Sequence, residues 1–182
     1  DDPKTLRLDE IRIDGGTQPR VAIDQVIVDE YAEQYSTGVD LKPVIVFYDG
    51  ATYWLADGFH RYWANRKIKS DYIFAHVHQG TQRDAILYSV GANADHGLRR
   101  TNGDKRKAVL TMLTNPLVSL DDDGNPRSNY EVARYCHVSE ITVRRMRKDQ
   151  EEASEGASTT KSQIGRTTRS VTRGGSTYLQ DT

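Results

Sequence analysis

Cysteine is almost missing. Cys136 is the only one in 182 residues, so no disulfide can close within the chain and a Cys-ligated zinc module is excluded. Long apolar runs are missing too. Val44-Ile45-Val46-Phe47-Tyr48 is among the longest, far short of the roughly 20 residues a membrane-spanning helix needs. The opening residues, Asp1-Asp2-Pro3-Lys4, carry no apolar stretch behind a basic end, so a secretory signal is not expected and a cytoplasmic protein is. Apolar residues make up 36% and the mean hydropathy is −0.71, polar for a compact domain. Part of the chain is therefore expected to be solvated, and residues 150–182, rich in Ser, Thr, Gly and Arg, read as a flexible tail.

A large charge excess is also absent, since the net charge is −1. That total conceals a segregation. Residues 1–98 hold 10 Lys+Arg against 15 Asp+Glu, whereas residues 99–148 hold 11 against 6. The basic middle is a candidate footprint for phosphate, although most such runs are solvated helical faces.

Apolar spacing predicts strands and helices that interleave first, then helices alone. Short strands are expected near 6–8 and 11–13, then a helix over 24–35 capped by Asp24. Strands at 44–48 and 52–56 should flank the Asp49-Gly50 turn. A helix opens after Asp57-Gly58, a strand covers 71–78, and Thr81 caps a further helix. Thr101-x-x-Asp104 and Ser128-x-x-Glu131 are capping boxes that start later helices. The expected class is α+β: a small N-terminal domain at 1–98, an all-α domain at 99–149, and the tail.

Residues 129–148 read as a helix-turn-helix. Val132, Val138, Val143 and Met146 can form a small core, and Ala133 is small where two helices cross. His137 stands where the turn needs a left-handed residue, and Ser139 can cap the second helix, with Glu140 favourable to its dipole. Ser139, Glu140 and Thr142 are placed nearest to base edges, with Arg144, Arg145, Arg147 and Lys148 reaching guanine or phosphate. A plain helical hairpin with a basic face is the alternative. The cap, the small residue, the apolar spacing and the basic helix occurring together favour DNA.

Tyr53-Trp54-Leu55-Ala56-Asp57-Gly58-Phe59-His60-Arg61 reads as strand, glycine turn, then helix. A helix N-terminus offers free N–H groups to an anion, and His60 and Arg61 add donors. Taken alone, the turn reads equally as a glycine turn whose arginine pairs with a carboxylate. Other clusters are weaker. Asp121-Asp122-Asp123-Gly124-Asn125 lacks the last ligand of a calcium loop, and His76 and His78 lack further metal ligands.

The succession of Gln18-Pro19-Arg20, Asp57-Gly58-Phe59-His60-Arg61, the stretch from Asn93 through Arg99-Arg100 to Val109, and the helix-turn-helix resembles the ParB/sulfiredoxin-like superfamily, over about residues 4–149. In ParB-type partition proteins the corresponding elements enclose a nucleoside triphosphate, CTP in true ParB. The resemblance thus implies Gln18, Arg20, Gly58, His60, Arg61, Asn93, Arg99 and Arg100 as nucleotide- or phosphate-binding residues, with CTP or ATP and Mg²⁺ as ligand. True ParB proteins usually carry Glu before that Asn; here Ala92 stands there, which weighs against hydrolysis. Sulfiredoxins carry a catalytic cysteine before the His-Arg of the turn. Phe59 stands there, so sulfinic-acid reduction by that chemistry is excluded. The Asp-Gly-x-His-Arg form also resembles free-serine kinases of the superfamily.

The expectation is a ParB-like DNA-binding protein in plasmid or chromosome partition or in transcription regulation. The alternative is a nucleotide-dependent enzyme: an NTPase, a small-molecule kinase or a nuclease. Expected partners are double-stranded DNA, a nucleotide and a second copy in a homodimer, with no membrane.

Overall fold

A computed structural model describes residues 2–92, 98–163, 168–173 and 176–181. Five strands form one sheet: β1 (Lys4–Arg7), β2 (Ile11–Arg12), β3 (Val44–Tyr48), β4 (Tyr53–Asp57) and β5 (Tyr72–Gln79), in the order β1-β5-β3-β4-β2. The β1/β5 and β3/β4 pairs are antiparallel, and β3/β5 and β2/β4 are parallel. The central β3 reads Val44-Ile45-Val46 without alternation because both of its faces are covered.

One face packs Leu6, Leu8, Ile11, Val44, Val46, Leu55 and Ile73 against Phe59 and Tyr62 of α2 (Phe59–Lys67). Behind α2 lies α1 (Gln25–Ser36), which buries Val28 and Ala32 against Ala64. Asp24 caps α1, accepting from the Val26 N–H at 3.0 Å, as its position before the apolar spacing predicts. On the opposite face Ile45 and Ala56 meet Ala85 of α3 (Gln82–Gly91).

Three helices follow: α4 (Asn102–Thr114), α5 (Asn129–Cys136) and α6 (Glu140–Gln163). Both capping boxes close. Thr101 and Asp104 exchange bonds at the start of α4, as do Ser128 and Glu131 at the start of α5. His137 ends α5 at φ 50°, in the left-handed conformation the sequence requires there. Among the described residues no helix is long and apolar enough to cross a membrane.

Two corrections to the sequence reading follow. The second of the late helices is not short: α6 continues to Gln163, and a hairpin of β6 (Thr168–Arg173) and β7 (Ser176–Asp181) follows, where a flexible tail is expected. Low apolar content suggests disorder, but Gln150, Glu151, Glu152 and Ala153 are good helix formers, and Lys148 pairs with Glu152 one turn on at 3.5 Å. The chain also divides elsewhere. One compact unit spans Asp1–Val143 and a second spans Arg144–Thr182, so the expected boundary at 98/99 falls inside the first. The reason is that α3 serves two layers, packing on β4 and also on α4 and α5.

Gly91 makes the α3–α5 approach possible. A Cβ there would lie 2.8 Å from the Tyr135 carbonyl oxygen. Helix propensity alone favours alanine over glycine in a helix by about 1 kcal/mol, while overpacking costs about 1–3 kcal/mol. Gly91→Ala is expected to lower stability by up to about 2 kcal/mol, read as an earlier urea midpoint. A later midpoint would refute the close packing.

Candidate functional site

A cavity of about 350 Å³ opens where several sequence-distant segments meet. Its wall is made by Gln18, Pro19 and Arg20, by Tyr31 of α1 with Leu41 and Lys42, and by Asp57, Gly58, Phe59, His60 and Arg61. Leu98 completes it. Five of the expected binding residues, Gln18, Arg20, Gly58, His60 and Arg61, are thus brought together.

Gly58 is where β4 becomes α2. It sits at φ 99°, and a Cβ would lie 2.6 Å from Val44 Cγ1, so only glycine fits both the backbone and the space. No side chain caps α2. The N–H groups of its first turn, at Phe59, His60 and Arg61, have no acceptor within the helix and lie at the cavity wall.

His60 is 8% exposed. Its Nε2 accepts the Asp24 N–H at 3.1 Å, so the ring is neutral and carries its proton on Nδ1. Burial first, then the nearby Arg20 charge, hold its pKa below the usual histidine value, against the opposing pull of Asp24 and Asp57. One ring therefore joins the start of α2 to the cap of α1.

The arginines are placed differently from the expectation. Arg61 was expected to grip phosphate with its fork. Its Nη1 donates to the Lys42 carbonyl and, at 2.8 Å, to the Pro43 carbonyl, while Nη2 donates to Asp57 Oδ2 at 3.1 Å. Of the two readings the sequence left equal, the arginine paired with a carboxylate describes this side chain. Arg20 donates to the Leu98 carbonyl, to the Arg99 carbonyl at 2.9 Å and to Asp104 Oδ2 at 3.0 Å. Both guanidinium groups thus hold the wall in shape.

Arg99 and Arg100 do not line the cavity. The Arg99 side chain is exposed, and only its carbonyl takes part, as an acceptor for Arg20. Arg100 is buried at 7% exposure and donates to the Cys136 carbonyl at 3.0 Å. The chain leading into α4 turns successive side chains to opposite sides, so Arg100 faces the end of α5. Burial lowers its pKa. The Cys136 thiol, pushed up to about 12 by burial, is a poor nucleophile. Asn93 lies outside the described residues.

Sequence reasoning missed Tyr31, Leu41, Lys42 and Leu98. Tyr31 belonged to the apolar face expected of α1, with no sign that the face reaches a cavity. It also missed the second task of Asp104. That side chain, 5% exposed, accepts from the Thr101 N–H at 2.9 Å, as the capping box demands. It accepts from the Val21 N–H at 2.9 Å and from Arg20 as well. Burial raises its pKa, but the donors of Val21, Thr101 and Arg20 outweigh it and hold the carboxyl below the usual range.

Among the described residues Asp57 is the carboxylate in the cavity wall, and the exposed Glu30 does not line it. Among the described residues no group of three or more His, Cys, Asp or Glu side chains is arranged to hold a metal. A Mg²⁺ there would need Asp57 together with phosphate oxygens and water, which is how Mg²⁺ is commonly held.

The basic stretch lies on α6. Ser139 Oγ accepts the Thr142 N–H at 3.3 Å and lies 2.8 Å from Thr142 Oγ1, so it caps the helix as expected. Glu140, Arg144, Arg145 and Lys148 are exposed, and Arg147 is half-buried.

No family model and no curated relative matches the chain. Among solved structures it is similar to a pNOB8-like ParB N-domain, with a TM-score of 0.51 at 12% identity, covering 78% of this chain and 66% of that one. It is also similar to sulfiredoxin from Arabidopsis thaliana, at TM-score 0.41 and 26% identity over 47% of this chain and 94% of that one. A third is the C-terminally truncated chromosome-partitioning protein ParB from Caulobacter crescentus complexed with CTP-γ-S, at TM-score 0.45 and 14% identity over 79% and 75%. The fold is like that of a ParB N-domain.

The His60 bond has a pH signature. Its folded pKa is depressed, so the stability it supplies is complete above about pH 6.5 and is lost as pH falls toward the folded value. The melting temperature is expected to fall between pH 7 and pH 5, and His60→Gln, which keeps an acceptor but cannot protonate, should flatten that fall. An unchanged slope would remove His60 from the link.

Proposed function

We propose that this chain is a ParB-like DNA-binding protein of the partition type, with a nucleotide phosphate held in the cavity at the start of α2. In this reading α5, the turn at 137–139 and the start of α6 act as a helix-turn-helix. The observation that carries the proposal is the meeting of loop 18–20, the uncapped α2 N-terminus and Lys42 around one cavity. An anion is the ligand such a site suits. It faces a positive dipole end, unbonded N–H groups and an ammonium, and the two arginine–carboxylate pairs beside it are already balanced. In this assignment the phosphate is met by the α2 backbone, the His60 Nδ1–H and Lys42, while Arg61 and Arg20 keep the wall in place.

Binding is favoured over catalysis. Asp57, paired with Arg61, is a poor general base, and a nuclease would want a cluster of metal ligands, which the described residues do not form. The role at DNA belongs to Arg144, Arg145, Arg147 and Lys148, with Ser139, Glu140 and Thr142 at the leading end of the helix.

Titration calorimetry with CTP, ATP and ADP in Mg²⁺, beside phosphate-release assays with and without duplex DNA, tests both halves. Saturable binding is expected without steady turnover, and Lys42→Ala should weaken it about tenfold, the worth of one charged hydrogen bond. Arg144→Ala with Arg145→Ala should weaken duplex binding and reduce its salt dependence. No binding at millimolar nucleotide would overturn the cavity assignment, and steady turnover would establish the enzyme reading instead.

A further inference from the structure

The first turn of α6 presents an apolar side chain to water. Ile141 is 76% exposed, the most exposed of the large hydrophobic residues described. A single exposed aliphatic side chain needs no explanation in general. Its position gives this one a meaning. It is the second residue of α6, on the segment that leads the proposed reading helix, and a basic run follows on the same helix. Its polar neighbours are engaged. Ser139 Oγ and Thr142 Oγ1 lie 2.8 Å apart and bond to each other, so the two hydroxyls expected to reach base edges first already have a partner in one another.

We infer that Ile141 reads the 5-methyl group of a thymine in the major groove. This rests on the DNA-binding reading of α6. The edges of the four base pairs present hydrogen-bond donors and acceptors in that groove, and the thymine methyl is their one apolar group. An aliphatic side chain near the N-terminus of a reading helix therefore has one complementary partner there. The side chain suits it in size: one branched aliphatic group against one methyl. Thr142 then acts through its bond to Ser139, stiffening the first turn so that Ile141 is held toward the groove.

Replacing thymine by uracil removes the methyl and leaves the base pairing intact. Duplexes enriched from a random pool by the full chain supply the probe, and each thymine of the recovered site is replaced by uracil in turn. For the wild-type chain, one thymine per half-site is expected to cost about fourfold in affinity on replacement, the worth of one buried methyl-sized group. Ile141→Ala should bind the thymine site about fourfold more weakly and lose its sensitivity to that same replacement, with an unchanged melting temperature. Two results would overturn the inference. If no thymine replacement weakens the wild type while Arg144→Ala with Arg145→Ala still weakens binding, Ile141 does not read a methyl and the DNA reading of α6 stands. If no duplex is enriched, or the double arginine variant binds as the wild type does, the DNA reading itself fails and this inference with it.

Discussion

The carboxylate of Asp104 is the contact on which the rest of the site depends. It joins the start of α4 to a loop more than eighty residues earlier, accepting from the Val21 and Thr101 N–H groups and from Arg20. A carboxylate that is 5% exposed is costly to bury unless its lone pairs are filled. Here they are filled by donors from both segments, so neither can move away without leaving a buried charge short of partners. Breaking such a pair from one side typically costs about 3–5 kcal/mol, a large part of the stability of a domain this size. The position of loop 18–20, and with it one wall of the cavity, follows from that requirement. Lys107 adds a second tie, donating to the Arg20 carbonyl at 2.6 Å.

The same short segment, 98–104, faces two ways. On one side the carbonyls of Leu98 and Arg99 accept from Arg20, at the cavity wall. On the other, Arg100 donates to the Cys136 carbonyl, the last residue of α5 before the left-handed turn into α6. Two guanidinium nitrogens of Arg100, Nε and Nη2, are buried without a partner, so this side chain is held by fewer bonds than its burial calls for. In the proposed function, a ligand touching Arg20 or Leu98 bears on the residue pair that fixes the end of α5. The segment is short and tied at both ends, which is the kind of element that carries a displacement instead of absorbing it.

Much of this was legible in the sequence, for reasons that can be named. The capping residues Asp24, Thr81, Thr101 and Ser128 act locally, within three residues of their own position, and each caps the helix expected of it. The glycine turn at Gly58 and the left-handed His137 are likewise demands of the backbone at one place. The extent of α6 was not legible, because the apolar spacing that marks a packed helix fades after Met146, and the good helix formers at 150–153 soon give way to Ser, Gly and Thr. The unit spanning 1–143 was not legible either. It is made by Gly91 meeting Tyr135 and by Asp104 meeting Arg20, contacts between residues far apart in sequence.

The arginines mark the limit of reading a site from residue types. Spacing after a glycine turn says that Arg61 supplies donors near a helix N-terminus, and it does. What it cannot say is which acceptors win. A guanidinium carries five N–H groups in a rigid fork, and it is satisfied by whatever oxygens lie in its plane. At Arg61 these are the carbonyls of Lys42 and Pro43, brought close because the chain turns into β3 there, and the carboxylate of Asp57 four residues back. An arginine so engaged has little left for a ligand, yet it fixes the lip from which Lys42 extends and balances the Asp57 carboxylate in the wall. In the proposed function the anion meets groups that the glycine turn does announce, the N–H groups of an uncapped helix turn and an imidazole, the latter kept neutral by the backbone bond it accepts. In that reading the arginines of the motif shape an anion site without touching the anion.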